Sequence, residues 1–315
     1  MKDMNDGKPL VVVVGETASG KSSLALALAE QFNGELICAD SWTVYKGFDV
    51  GTAKPSVAEQ ARVSHHLLDV ADPEKGFSAV EFQRLAKVAI HDIQSRGKLP
   101  ILVGGTGLYI DSILFDYQFL PAPEAGLRSV LSELSLEELQ QKAHDNNLDT
   151  TGIDLRNKRR IVRLIENDGL RPTKKDLRPN TLIMGIVVDR EHLRDRVTQR
   201  VDTMLAAGLE AEVEQLASHY GWEAEPMKGV GYREWRAYFE DKLGDETDEA
   251  QRQILSPVNR QSLEQTRERI ISATMGLAKR QRTWFKRNDC IQWLQPANKL
   301  AKSVDLVTTF LATNS

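Results

Sequence analysis

Two cysteines in 315 residues, Cys38 and Cys290, are too few for a disulfide framework, and neither stands at metal-ligand spacing from a partner. The expectation is a reducing, cytoplasmic setting. No apolar run approaches the roughly 20 residues that cross a bilayer. The polar stretch Met1 to Pro9 lacks the apolar core of a signal peptide. No 20–50-residue repeat and no long low-complexity tract is present, which excludes solenoids and propellers. His65 and His66 have no cysteine or acid at zinc spacing, so they are expected to pack or hydrogen-bond. Net positive charge is also missing. The formal charge is -4, so a nucleic-acid surface would have to be a local patch.

What is there suits one large domain, or one domain carrying a smaller insertion: 41% hydrophobic residues and 27% charged ones. Leu10 to Val14 is a short β-branched run and reads as a buried strand, followed by a helix over Ser22 to Phe32. Glu35 to Cys38 and Pro100 to Val103 read as further strands, with a helix over Ser78 to Gln94 between them. Strands alternating with helices predict an α/β fold whose parallel sheet is covered on both faces, the architecture of P-loop NTPases. The pattern changes after Phe115. Residues 116–180 hold no convincing strand, and Pro121, Pro123, Pro172 and Pro179 punctuate helical stretches, which predicts a helical insertion. Core character resumes over 181–315, with a strand at Thr181 to Val188, a long helix from about Asn259 to Phe285, a short strand at Ile291 to Leu294 and a last helix over Lys299 to Leu311. The core domain is thus expected over 1–115 and 181–315.

Gly15-Glu16-Thr17-Ala18-Ser19-Gly20-Lys21-Ser22 fits G-x-x-x-x-G-K-[ST], between a strand and a helix. The glycines let the backbone curl so that successive N–H groups point inward. Those donors and the helix N-terminus make a diphosphate cradle from Gly15 to Ser22. Thr17 can add a hydroxyl contact, Lys21 adds a mobile charge, and the Ser22 hydroxyl can ligate Mg²⁺. Four fixed positions match by chance in about one chain of this length in a hundred.

The motif specifies a diphosphate, not a nucleoside triphosphate. A P-loop kinase of a small metabolite is one reading, and a non-catalytic RNA-binding module is another. Kinases usually place a Mg²⁺-holding aspartate at the end of a nearby strand. Here the strand before Gly104 and Gly105 ends without one, and the well-placed acid is Asp40. Asp40 is a general base, a holder of Mg²⁺ through water, or the acceptor of a turn.

Taken together, several motifs resemble those of the tRNA dimethylallyltransferase family. They begin with the P-loop, Asp40-Ser41-x-x-Val44-Tyr45-Lys46-Gly47 and Gly51-Thr52-Ala53-Lys54-Pro55. They continue with His65-His66-Leu67-Leu68-Asp69, Leu102-Val103-Gly104-Gly105-Thr106-Gly107 and Arg159-Arg160-x-x-Arg163. Arg200-Val201-x-x-Met204-Leu205, Gly229-Val230-Gly231-Tyr232-Arg233-Glu234 and Ala278-Lys279-Arg280-Gln281-x-Thr283-Trp284-Phe285 complete the set. The matches run in order from about residue 10 to 290. There are departures: Glu16 replaces a usual proline, Ser22 a threonine, and Trp42-Thr43 an arginine–glutamine pair.

The resemblance implies transfer of a dimethylallyl group from its diphosphate to the exocyclic amine of adenine 37 in the tRNA anticodon stem-loop. Mg²⁺ would be the cofactor, and a monomer with no obligate protein partner and no membrane attachment is expected. It implies Asp40 as base and Arg200 as the clamp on the diphosphate, with Arg196, one turn earlier, as a competing choice. Ser41, Trp42, Thr43 and Thr106 would line the adenine's channel. Lys228, Gly231, Tyr232 and Arg233 would contact tRNA, as would Arg159, Arg160 and Arg163 of the insertion and Lys279, Arg280 and Arg282 of the long helix. Two basic stretches agree. Residues 153–178 carry nine Lys/Arg against four acids, and residues 260–287 carry eight against two. By themselves such runs are as readily solvated helix faces. Trp284, among the second group, either packs in the core or stacks on a base.

Overall fold

Leu10–Gly15 (β1) is buried along its whole length because its valines face helices on both sides of a sheet. The computed structural model describes residues 7–121, 126–245 and 262–313. They form two units, one built from the chain up to Leu114 and from Arg178 onward, the other from Phe115–Leu177.

The first unit adds β2 (Gly34–Ala39), β3 (His65–His66), β4 (Leu99–Gly104), β5 (Thr181–Ile186) and β6 (Gln292–Leu294). All pair in parallel, in the order β3-β2-β4-β1-β5-β6. Its helices are α1 (Lys21–Gln31), α2 (Val57–Arg62), α3 (Ala79–Ser95) and α4 (Gly107–Leu114) before the second unit. The second unit holds α5 (Leu127–Glu133), α6 (Leu136–Asp145) and α7 (Lys158–Glu166). The first unit resumes with α8 (Arg190–Ala206), α9 (Leu209–Tyr220), α10 (Arg236–Asp245), α11 (Leu263–Phe285) and α12 (Lys299–Thr313).

Local chemistry sets several boundaries. Ser78 accepts the Glu81 N–H, and the Glu81 carboxylate accepts the Ser78 N–H at 3.0 Å, a reciprocal cap that starts α3. Ser262 and Gln265 start α11 in the same way. The predicted first turn of that helix, with Asn259 and Arg260, lies outside the described residues.

The strand β3 carries no apolar β-branched signal, and sequence periodicity did not predict it. It forms because Leu36 and Ile37 of β2 pair with His65 and His66, and because His66 Nε2 meets Glu35 Oε2 at 2.7 Å. Arg96, Lys98 and His66 surround that buried carboxylate and hold it well below the usual carboxylate range, Arg96 contributing most.

The second unit has its own small core of Leu131, Leu139, Ala143, Ile161, Val162 and Ile165. The side chain of Glu166 is fully buried and paired with Arg128 at 2.6 Å and Arg163 at 3.3 Å. Among the described residues, no helix is long and apolar enough to cross a membrane.

Candidate active site

Parallel strands deliver their following loops to one edge of a sheet, where α/β sites are built. Here β1 leads into the P-loop, β2 into Asp40 to Thr43, and β4 into Gly105 and Thr106. The register sets Val14 and Ala39 both beside Gly104, so the three loops start level. Gly104 must be glycine, since a Cβ there would overlap the Ala39 carbonyl.

In the P-loop, Gly20 has φ +87 and serves as the N-cap of α1 without a side-chain cap, which leaves the helix N-terminus open to an anion. Thr17, Lys21, Ser22, Asp40, Thr43 and Arg200 all line one cavity. Burial pushes the Lys21 ammonium down to about 8, and Arg200 adds to the shift, while Asp40 and Glu16 oppose it. Its Nζ donates to the Glu16 carbonyl at 3.3 Å. Ser22, in the first turn of α1, is exposed to the cavity. Gly15 and Ser19 are buried within the loop, and the Ser19 hydroxyl has no partner among the described residues. Ala18 takes up φ +60 to make the curl.

The structure shows the turn reading of Asp40 directly and leaves one oxygen over. Its Oδ1 accepts the Trp42 N–H at 2.9 Å and the Thr43 N–H at 3.4 Å, which makes the turn. No described residue donates to Oδ2, and the side chain faces the cavity. Thr43 is also buried there, with a hydroxyl that has no partner among the described residues. Ser41 and Thr106 do not line the cavity. The Thr106 hydroxyl accepts the Ser41 N–H at 3.0 Å and donates to the Ser41 hydroxyl at 3.3 Å, which ties the β2 and β4 loops together.

The two arginines of α8 separate. Arg200 enters the cavity, where its Nη2 donates to the Thr52 carbonyl at 3.1 Å. Burial lowers its pKa, with the charge of Asp40 opposing. Arg196 instead reaches the Ser19 carbonyl at 3.3 Å, beside Lys299, whose Nζ meets the Gly20 carbonyl at 3.5 Å.

Several residues expected on an RNA surface lie elsewhere. Tyr232 is buried, its ring 5.0 Å from that of Phe48 and its hydroxyl donating to Glu212 at 2.7 Å, so it is a core residue. Arg282 turns inward and donates through Nε to the buried Glu16 carboxylate at 3.0 Å and through Nη2 to the Val188 carbonyl. A guanidinium beside a buried carboxylate is committed to it. Trp284 donates from its indole N–H to Asp111 at 2.9 Å and packs against Gly107, which takes the packing role of the two left open. Arg163 is engaged by Glu166, whereas Arg159 and Arg160 are exposed. Lys228 and Arg233 are exposed beside acids, Lys228 3.9 Å from Glu223 and Arg233 2.7 Å from Glu234. The Gly231 N–H donates to Glu234. Lys279 and Arg280 are exposed.

Two cavity-shaping residues escaped the sequence reading. Gln281 sat inside a quoted motif without a role, yet its Oε1 accepts the Thr17 N–H at 2.8 Å. Glu212 had no motif signal, and it gathers the 49–51 loop described below. Among the described residues no three His, Cys, Asp or Glu side chains come together as a metal site.

The model of the IPP transferase family matches residues 43–288. A tRNA dimethylallyltransferase of Streptococcus suis is 40% identical over 301 residues, covering 93% of this chain and 94% of the relative. One of Anoxybacillus flavithermus is 38% identical over 298 residues, covering 91% and 90%. Among solved structures, the full-length tRNA isopentenylpyrophosphate transferase of Bacillus halodurans superposes with a TM-score of 0.69 at 30% identity, covering 97% of each chain. A eukaryotic dimethylallyltransferase acting on tRNA reaches a TM-score of 0.77 at 25% identity, covering 98% of this chain and 80% of that one. With the cavity joining a P-loop to Asp40 and sequence likeness over nine-tenths of its length, the chain belongs to the IPP transferase family.

Proposed function

We propose that this protein transfers the dimethylallyl group of dimethylallyl diphosphate to the N6 amine of adenine 37 in the tRNA anticodon stem-loop, and that it works in the cytoplasm. The observation that carries the reading is the unclaimed Oδ2 of Asp40 in the same cavity as Lys21 and Arg200. Attack occurs at carbon. The bond from the prenyl C1 to the diphosphate oxygen breaks, the bond from N6 to C1 forms, and the N6 proton passes to Asp40 Oδ2. An aromatic exocyclic amine is a weak nucleophile, so removing its proton as the bond forms lowers the barrier. The departing diphosphate gains charge, which the loop amides, Lys21 and Arg200 offset. The unpartnered Thr43 hydroxyl is available to the adenine, which must leave its stack to enter the cavity.

Mg²⁺ fits this arrangement. The exposed Ser22 hydroxyl opens to the cavity and has no partner among the described residues, as suits an ion that takes its other ligands from water and substrate phosphate. When bound, the ion would neutralise charge on the leaving diphosphate. Exposed Arg159 and Arg160 of α7 and Lys279 and Arg280 of α11 offer phosphate contacts that fix register without reading sequence.

The test is to incubate the protein with labelled dimethylallyl diphosphate, Mg²⁺ and tRNA carrying adenines at positions 36–38. Label should appear at adenine 37 with release of diphosphate. ATP turnover without labelled RNA would overturn the reading in favour of a small-molecule kinase.

A further inference from the structure

Glu212, on α9, accepts three successive backbone N–H groups: Asp49 at 3.1 Å and Val50 at 2.7 Å on Oε2, and Gly51 at 2.9 Å on Oε1. The Tyr232 hydroxyl donates to Oε1 as well, at 2.7 Å. Consecutive amides converging on one anion are a nest, a geometry proteins use for phosphate. Here the anion is the protein's own carboxylate, and the nest is spent on fixing a loop. Gly51 is held so close to Tyr232 that a Cβ would overlap its ring. The next residue, Thr52, donates its hydroxyl to the Phe48 carbonyl at 2.8 Å, and its own carbonyl accepts Arg200 Nη2.

A buried guanidinium has several rotamers and needs a fixed acceptor to choose among them. The Thr52 carbonyl is that acceptor, and Glu212 fixes the Thr52 carbonyl. We infer that Glu212 is a positioning residue for diphosphate binding: by capping the Asp49 to Gly51 amides it sets the Thr52 carbonyl that aims Arg200 into the cavity. This rests on the assignment of Arg200 to the diphosphate. A charge-neutral, isosteric glutamine cannot reproduce the arrangement. It has one acceptor oxygen, so an NH₂ group must face either the Gly51 N–H or the Asp49 and Val50 N–H groups.

The experiment measures inorganic diphosphate binding by calorimetry and tRNA binding by filter retention, on the full chain with Mg²⁺. Glu212→Gln should raise the diphosphate Kd about tenfold, as expected for a misaimed charge-assisted hydrogen bond, and leave the tRNA Kd within twofold. In an Arg200→Lys background, the same substitution should add less than twofold, because the group it aims is gone. Unchanged diphosphate affinity, or effects of the two substitutions that multiply, would overturn the inference. Should Glu212→Gln not fold, Tyr232→Phe keeps the loop amides capped and removes one donor. It should weaken diphosphate binding about two- to threefold, again without multiplying with Arg200→Lys, and a multiplied or absent effect overturns the inference. If Arg200→Lys alone leaves diphosphate binding intact, the inference falls with the assignment of Arg200. Failure of the wild-type protein to prenylate tRNA would sink the proposed function but leave these binding comparisons readable.

Discussion

The side-chain carbonyl of Gln281 accepts the backbone N–H of Thr17 at 2.8 Å, so a residue of the long α11 caps an amide of the phosphate loop. Gln281 is 9% exposed, and removing its acceptor leaves that amide unpaired. Gln281→Met should cost roughly 1–2 kcal/mol in urea unfolding. Saturating diphosphate, which can accept the same N–H, should recover part of that loss beyond its effect on wild type. An equal ligand-induced gain in both proteins would show that the Thr17 amide does not face the anion.

One oxygen of Asp40 holds the Trp42 and Thr43 amides, and an asparagine substitution separates that task from the proposed proton transfer at the other. The carboxamide keeps an oxygen for the Trp42 and Thr43 amides, so the turn stays, but it cannot take a proton. Asp40→Asn should lower single-turnover prenyl transfer about 10²-fold or more with tRNA affinity nearly intact. Loss of tRNA binding in proportion to activity would assign Asp40 to the turn alone.

Diphosphate affinity should depend on pH through Lys21. Its ammonium is pushed down to about 8 without ligand, chiefly by burial and then by Arg200. An anion in the loop favours the charged form, so binding draws in a proton where the free lysine is partly neutral. Affinity should therefore be full below about pH 8 and fall above it. For the free protein, the unfolded lysine holds its proton up to the ordinary 10.5, so stability should rise with pH between about 8 and 10.5. Calorimetry in two buffers of different ionisation enthalpy should register proton uptake near pH 8 in wild type and none in Lys21→Met.

Glu16 stands in the phosphate loop with its side chain 5% exposed, against Arg282 at 29%. Burial raises its carboxyl above the ordinary value, while Arg282 pulls the other way. Arg282→Met leaves a buried charge without its partner and should cost about 3–5 kcal/mol in denaturant unfolding. Adding Glu16→Gln should restore much of that. A single substitution as mild as an exposed one would show the pair to be weak.

The RNA contacts proposed for α11 should separate from this structural pair. Lys279→Ala with Arg280→Ala should weaken tRNA binding, with the slope of log K against log salt reduced by about 1 per lost phosphate contact. Diphosphate affinity and melting temperature should stay as in wild type. An unchanged salt slope would remove both residues from the RNA interface.

The fold class and the phosphate loop were legible because their causes are local. A β-branched run, a Gly-rich turn and a Lys-Ser helix start need only their neighbours to be recognised, and Asp40 could be singled out because an acid closes a strand. The strand β3 was not legible, since two histidines extend only by pairing with Leu36 and Ile37. The inward partners of Arg282 and Tyr232 were not legible for a related reason. A motif gives residue types, while the face of the helix or turn on which each falls depends on packing.

By itself, then, the sequence determined that this chain makes a parallel α/β core, presents a P-loop motif after its first strand and carries the family's motifs in order. Only the tertiary structure decided that Arg200 rather than Arg196 enters the cavity, that Arg282 faces Glu16, and that Glu212 holds the loop which aims Arg200. The physical reason is distance along the chain. Backbone curl and helix start are set within a few residues, but a hydrogen bond such as that between Gly51 and Glu212, 161 positions apart, exists only once the fold has brought them together.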